Sequence, residues 1–447
     1  MGSIIQLEAQ NGKEFGLWEN PCKLTKGLEM KEVSLKVKSI FVSAGFLLLA
    51  SCSGNSILIS PDGGWNWDTH PIATYHHGNH QRTYVGWVTS VGDVQVTSYD
   101  HVTKQIETST LHQKLDVDDH ANPSLLMLED GRVMAFYSAH NGDALYFRTT
   151  KESEDVSSWN PEQTMPVNSN GTHGYTYPKP CILKNENNAL YVFWRGGDWL
   201  PTFSVSYDNG TTWSEARTLF RVPGERPYVI MSCDGVSKID FTVSDGHPNE
   251  VKNNNVYYFR YQSGKFINSN GEFIGNLNTL PLTRSDVDLV YDAKKEGASS
   301  WVWDITTDST GAPYIAFATF PSVVDHQYRY AKTVGTKWQH FEITSAGTHL
   351  DGDAELYYSG GIAFAPNNPS IVFLSRQVGK YHEIQRWVTP DHGKTWNSFP
   401  VSLGISETNA RPVVVGRPSD EILGVLWWSG VYNYYTDYQS TIRAVFY

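Results

Sequence analysis

Charge is scarce in this 447-residue chain. Only 18% of residues are Asp, Glu, Lys or Arg, and the basic ones are the minority, 35 against 47, for a formal net charge of −12. That balance excludes nucleic acid as the expected partner. It leaves room for an anionic sugar, provided Arg, Lys and His gather locally. Cysteine is nearly absent as well. Four residues, Cys22, Cys52, Cys181 and Cys233, are too few for a disulfide scaffold. No C-x-x-C or H-E-x-x-H spacing is present to mark a metal centre. Long amphipathic helical patterns are missing too, which removes bundles and doubly wound folds from consideration.

One apolar run stands out near the start, in MKEVSLKVKSIFVSAGFLLLASCSG. Lys31, Lys36 and Lys38 precede a short apolar stretch, Ile40 to Leu49. It is too short to span and remain as a membrane helix. Leu49-Ala50-Ser51-Cys52 resembles a bacterial lipoprotein signal, so residues 30–52 are expected to be a signal peptide with Cys52 as the lipidated residue. Residues 1–29 then read as an extraneous or over-extended N-terminus, and 53–447 as a single catalytic domain. The expected location is outside the cytoplasm, lipid-anchored at the cell envelope, with the membrane touched only through that anchor.

What the sequence has in abundance is aromatic residues and turn formers. Aromatics make up 13%, with 15 Trp and 25 Tyr, alongside 37 Gly and 21 Pro. Short alternating segments such as VMAFYS, ALYVFW, KIDFTV, NVYYFRY and PYIAFATF recur between D-G, N-G and G-G turns. This is the signature of an all-β sandwich, barrel or propeller. A degenerate repeat favours the propeller. Ser206-Tyr-Asp-Asn-Gly-Thr-Thr-Trp213 has the spacing S-x-D-x-G-x-T-W, Thr389-Pro-Asp-His-Gly-Lys-Thr-Trp396 repeats it, and Ser60-Pro-Asp-Gly-Gly-Trp-Asn-Trp67 is a weaker copy. This is the Asp-box of sialidase-like propellers, in which Asp caps the amides of a tight turn and Trp packs beneath it. The chain after Cys52 suits about seven blades of about 50–60 residues.

Three consecutive hairpins carry the candidate chemistry. In DDHANPSLLMLEDGRVMAFYSAHNG, strands 124–128 and 132–138 flank a turn at Asp130, bringing His120 and His140 to the same end. In GYTYPKPCILKNENNALYVFWRGG, strands on either side of Glu186 bring Tyr177 and Arg195 together. In ERPYVIMSCDGVSKIDFTVSDGHP, Arg226 and Tyr228 precede the turn and Asp245 and His247 follow it. Equivalent blade ends share one face of a propeller, so the set is expected to converge. The chemistry it fits is β-elimination from a uronic-acid polymer. Arg stabilises the charge that builds on the uronate carboxylate, a neutral His takes the C5 proton, and a Tyr hydroxyl protonates the leaving oxygen or replaces the His as base. No cofactor is needed for catalysis. A base of ordinary histidine pKa predicts activity rising through about pH 6–7. Hydrolysis would call for two facing carboxylates, and Asp118 and Asp119, adjacent in sequence, would diverge in a strand. The stretch with His76, His77 and His80 reads as a loop near the cleft, with Arg82 as a sugar contact. Cys233, His247 and His326 form a candidate structural zinc set.

These motifs together resemble the BNR-4-type propeller polysaccharide lyases, and within them the ulvan lyases. ISPDGGWNW, TYVGWV, DDHANPSLLMLEDGRVMAFYS, YPKP with FWRGG, RPYV, SDGHPNE, SWVWDI, YSGGI, RWVTPDHGKTW and ARPVV with LWWSG carry the resemblance. It implies a seven-bladed β-propeller, expected as a monomer. The implied reaction is a β-eliminative cut of ulvan between rhamnose-3-sulfate and a uronate. By resemblance His120 would be the base, or base and acid; Tyr177, or the equally close Tyr175, its partner; and Arg195 the carboxylate neutraliser. His140 and Tyr228 would line the subsite, and a structural zinc would involve His247; the hairpin reading adds Arg226 as a substrate contact. A sialidase-like hydrolase and a non-catalytic glycan-binding propeller are the alternatives.

Overall fold

A computed structural model describes residues 56–350, 355–402, 406–417, 419 and 421–447. The signal-peptide segment and Cys52 lie outside the described residues. Within them, seven antiparallel sheets succeed one another along the chain, and in five of the seven the strand order follows the sequence throughout. First strands of neighbouring sheets pack side by side, so each sheet is a blade whose first strand lines a central channel. The fold is a seven-bladed β-propeller.

Closure of the ring explains the seventh blade. Its first three strands, Thr408–Gly416, Ile422–Tyr434 and Asp437–Phe446, come from the end of the chain, and Ile57–Ser60 supplies the outermost one. Blade four is larger than the rest, with six strands, because Phe273–Asn276 and Asp288–Tyr291 add to it. The second strands are almost wholly apolar, as Val133–Ser138 and Ala189–Arg195 are buried at every position. A strand covered on both faces by neighbouring blades loses the simple in–out alternation. Burial of such strands between blades supplies the main stabilising term.

The two strong Asp-boxes fold as expected. Asp208 accepts from the Thr212 amide at 2.8 Å and Asp391 from the Thr395 amide at 2.8 Å. Gly210 and Gly393 hold φ of +90° and +96°, where a side chain would be strained. The indoles of Trp213 and Trp396 donate to the carbonyls of Gly210 and Gly393. The third copy departs from this pattern. Asp62 accepts instead from the amide and hydroxyl of Ser90, and Trp65 turns inward to donate to the Arg411 carbonyl at 3.1 Å. It follows the outermost strand of blade seven, where the chain enters blade one, so it staples the ring closed rather than capping its own turn.

Cys181 and Cys233 form a disulfide with Cα atoms 6.1 Å apart. It ties the first strand of blade three, Thr176–Leu183, to that of blade four, Val229–Cys233. The sequence spacing of 52 residues gave no local hint of this pairing, because the two positions meet only through the lateral packing of blades.

Candidate functional site

The site lies at the channel mouth, where first strands begin and second strands end. In blade two the segment before strand Ser124–Met127 is not extended. Asp118 accepts from the His120 amide at 2.9 Å and starts a single 3-10 turn, Asp119–Ala121. Asp118 and Asp119 therefore do not diverge as they would in a strand, and this has a chemical consequence. Both carboxylates reach one imidazole, with Nδ1 of His120 2.5 Å from Asp118 and 3.1 Å from Asp119. His140, just beyond Val133–Ser138, lies parallel to His120 with ring centres 4.0 Å apart. Its Nδ1 is 3.0 Å from the second oxygen of Asp118. One carboxylate therefore orients two stacked imidazoles.

Blade three contributes Tyr177 and Arg195. A bulge in Thr176–Leu183 shifts the register so that Thr176 faces Arg195 and Lys179 faces Phe193. Tyr177 occupies the bulge with φ of +59°, an unusual backbone for a bulky residue, as found at functional sites. Its ring stands 5.3 Å from that of His120. The Arg195 guanidinium lies 4.7 Å from the Tyr177 ring centre and 6.0 Å from that of Tyr228. Arg195 donates to the hydroxyls of Tyr228 and Thr176 and to the Asn141 side-chain oxygen. It is only 4% exposed, yet among the described residues no carboxylate pairs with it, and its Nε has no hydrogen-bond partner. Beneath, Lys179 makes a buried ion pair with Asp68 at 2.7 Å.

The surroundings shift the two imidazoles in opposite directions. Burial pulls His120 down, but Asp118 and Asp119 outweigh it and lift the pKa to about 9. Burial and the neighbouring His120 lower His140 to about 4. Burial, then the nearby Tyr228 hydroxyl, pushes Tyr177 well above its ordinary value, so it stays protonated.

Other predicted positions fall elsewhere. Tyr175 is not a site residue, because its hydroxyl donates to the Val167 carbonyl at 2.7 Å and its ring packs against Trp194. The bulge turns Tyr177, and not Tyr175, to the channel mouth. Arg82 is also displaced. It sits beside the turn between the first two strands of blade one, bound to Asp100 and the Glu154 carbonyl. Glu154 in turn bonds Gly131 in the blade-two turn, so Arg82 and the nearby His76 and His80 lie at the end opposite His120. Arg226 lies at the rim, paired with Glu250 at 2.8 Å and packed over Trp199, beside a cavity of about 470 Å³ that Arg221 and His173 also line.

The proposed zinc set does not assemble. Cys233 is consumed by the disulfide and lies at the far end of its strand from His247. His247 accepts from the Asn249 amide at 3.2 Å and faces Glu355 at 3.7 Å. Both ring nitrogens of His326 are engaged, by Ser359 and the Leu356 carbonyl.

Several site residues were invisible to spacing. Tyr435, carried by the long hairpin of blade seven, presents its ring to His120 and His140 at 5.0 and 5.5 Å. Arg411 pairs with Asp119 at 2.5 Å and with the Tyr432 hydroxyl. Asn66 places its amide nitrogen 3.3 Å from Nε2 of His120. Asn66, Lys179 and Arg411 sit in GWNW, YPKP and ARPVV, three of the motifs that carry the family resemblance, and that is the signal that could have found them.

A propeller with a basic, aromatic-walled mouth defines a class of carbohydrate-active protein, and the comparisons narrow it. Residues 82–346 match the model of the BNR repeat-containing family. That is more than half the chain, and the chain belongs to this family. It is 23% identical over 389 residues to an ulvan lyase of Nonlabens ulvanivorans, covering 75% of this chain and 77% of that protein. It is 26% identical over 317 residues to an ulvan lyase of Alteromonas sp. (strain LOR), covering 60% of each. Among solved structures, a PL25 ulvan lyase bound to -[GlcA(1-4)Rha3S]- superposes with a TM-score of 0.65 at 18% identity, over 87% of this chain and 95% of the other.

Proposed function

We propose that this protein is a polysaccharide lyase that cleaves ulvan by β-elimination, leaving a 4,5-unsaturated uronate. The observation that carries the reading is Arg195. A buried guanidinium without a counter-ion is costly, and its place among Tyr177, Tyr228 and the imidazole pair fits the carboxylate of a bound uronate. There it would offset the negative charge that builds as the C5 proton leaves. Imidazole and Tyr177 stand on hand for proton removal and for protonation of the leaving O4. The facing carboxylates that hydrolysis requires are lacking in this cluster, since Asp118 is bound to two imidazoles and Asp119 to Arg411. The likeness to named ulvan lyases supports the substrate. The Cys181–Cys233 disulfide supports action in an oxidising compartment outside the cytoplasm.

The test is direct. The protein is incubated with ulvan and a panel of other uronate polymers while absorbance near ~235 nm is followed, where the conjugated product of β-elimination absorbs. A rise with ulvan is the expected result. Shortened polymer without a rise would mean hydrolysis. Binding without shortening would mean a glycan-binding propeller.

A further inference from the structure

We propose that the buried Lys179–Asp68 pair is a positioning element for the site, which fixes Tyr177 through its backbone carbonyl and Arg195 through one internal water. This rests on the lyase reading above. Neither residue of the pair reaches a substrate, since the side chains are 4% and 2% exposed. They act through the residues they hold. Tyr177 precedes Pro178, and a proline ordinarily confines the residue before it to extended backbone. Tyr177 instead holds φ of +59°. It lies with Pro178 in the bulge between the Thr176–Arg195 and Lys179–Phe193 pairings. Such backbone persists only where its surroundings enforce it. Lys179 supplies the restraint. Its Nζ donates to the Tyr177 carbonyl at 3.3 Å and lies 5.3 Å from the centre of the Tyr177 ring. Nζ is itself held by Asp68 at 2.7 Å, and the Asp68 amide donates to the Asn66 side-chain oxygen at 2.9 Å.

The same carboxylate bears on Arg195. Oδ2 of Asp68 and Nε of Arg195 are both buried without a hydrogen-bond partner among the described residues. Both residues line one cavity of about 20 Å³, walled otherwise by Tyr177, Lys179, Tyr228 and apolar side chains. A space of that size holds a single water, and a buried water needs at least two polar partners. An unpaired acceptor and an unpaired donor on the walls of one such cavity provide them. The bridge does not neutralise Arg195, because the charge of Asp68 is already offset by Lys179. One positive charge is left over among the three groups, and that remainder is what a uronate carboxylate meets. Lys179 therefore has two effects. It props the bulge that presents Tyr177, and it occupies the carboxylate that would otherwise turn to Arg195.

The experiment compares Lys179→Met with the double variant Asp68→Asn/Lys179→Met on ulvan, each checked for folding by circular dichroism, beside a high-resolution crystal structure of the wild type. The double variant leaves no charge unpaired and nearly keeps both side-chain volumes, so it is expected to fold. It should lose about 10²-fold in kcat, the usual effect of a displaced reacting group, with KM close to wild type. Lys179→Met alone frees the Asp68 carboxylate to pair with Arg195, so its KM should exceed that of the double variant by at least about tenfold. A pair that only stabilised the fold would lower the unfolding temperature without producing this order of KM values. The crystal structure should show one water within about 3 Å of both Asp68 Oδ2 and Arg195 Nε. A folded double variant with wild-type kcat, equal KM values in the two variants, or no bridging water would overturn the proposal. Should Lys179→Met fail to fold, the kcat of the double variant and the water still decide it. Wild-type protein that yields no unsaturated product from any uronate polymer would instead defeat the lyase reading itself, whereas the water is read without any substrate.

Discussion

Two arginines are buried at the mouth of this propeller, and they are opposites. Arg411 is 1% exposed and ion-paired, with Asp119 at 2.5 Å, the Tyr432 hydroxyl at 2.8 Å and the Trp65 carbonyl at 2.6 Å, although its Nε, like that of Arg195, has no hydrogen-bond partner among the described residues. Trp67, Tyr358, Trp428 and Tyr432 enclose its guanidinium at 4.7–5.7 Å. Arg195 is 4% exposed and also ringed by aromatics, but its partners are neutral. Burial of a charge is tolerated when it is paired and hydrogen-bonded. Arg411 meets both conditions within the protein and so belongs to the architecture. Arg195 meets only the second, and the missing anion has to come from outside. Burial alone does not separate a structural charge from a binding charge; the identity of the partners does.

The contrast gives two predictions. Arg195→Ala should lose about 10²–10³-fold in turnover on ulvan, the usual size of a lost transition-state contact, while its thermal unfolding stays close to wild type. Steady-state assays and a melt on the same preparation would separate the two effects. Arg411→Ala should show the reverse emphasis. Removing one partner of the buried Arg411–Asp119 pair costs about 3–5 kcal/mol at most, read as a lower denaturation midpoint, because His120 and the Tyr432 hydroxyl still face Asp119. Activity that survives in the folded fraction should be reduced only as far as Asp119 loosens His120. Equal stability losses in both variants would erase the distinction.

The legibility of these features in the sequence follows from how local they are. Alternation and turn residues disclosed the all-β class, and the two strong Asp-boxes, closed within eight residues each, disclosed the propeller. The hairpin logic placed His120, His140, Tyr177, Arg195 and Tyr228 at one mouth because register within a hairpin is nearly fixed by its turn. It did not distinguish Tyr177 from Tyr175, because a bulge shifts which side chain faces the channel and nothing in YTYP announces one. Arg82 was misplaced for a related reason. It begins a second strand, next to the turn, whereas the site gathers where second strands end. The Asp118-Asp119-His120 turn was not foreseen, because capping by Asp118 competes with extension only over three residues. Asp119–Arg411 and Cys181–Cys233 join segments 292 and 52 residues apart, and only the closed ring brings them together.

The central claim is that Arg195 receives the uronate carboxylate, and binding tests it without depending on turnover. Affinity would be measured by calorimetry for an ulvan oligosaccharide and for the same oligosaccharide with its uronates reduced to neutral sugars. Wild type and Arg195→Ala would both be titrated, each carrying Tyr177→Phe to block cleavage. The account predicts that the Arg195 protein favours the native oligosaccharide by at least about tenfold, a difference of about 1.4 kcal/mol, and that Arg195→Ala binds both forms alike. Discrimination that persists undiminished without Arg195 would contradict it.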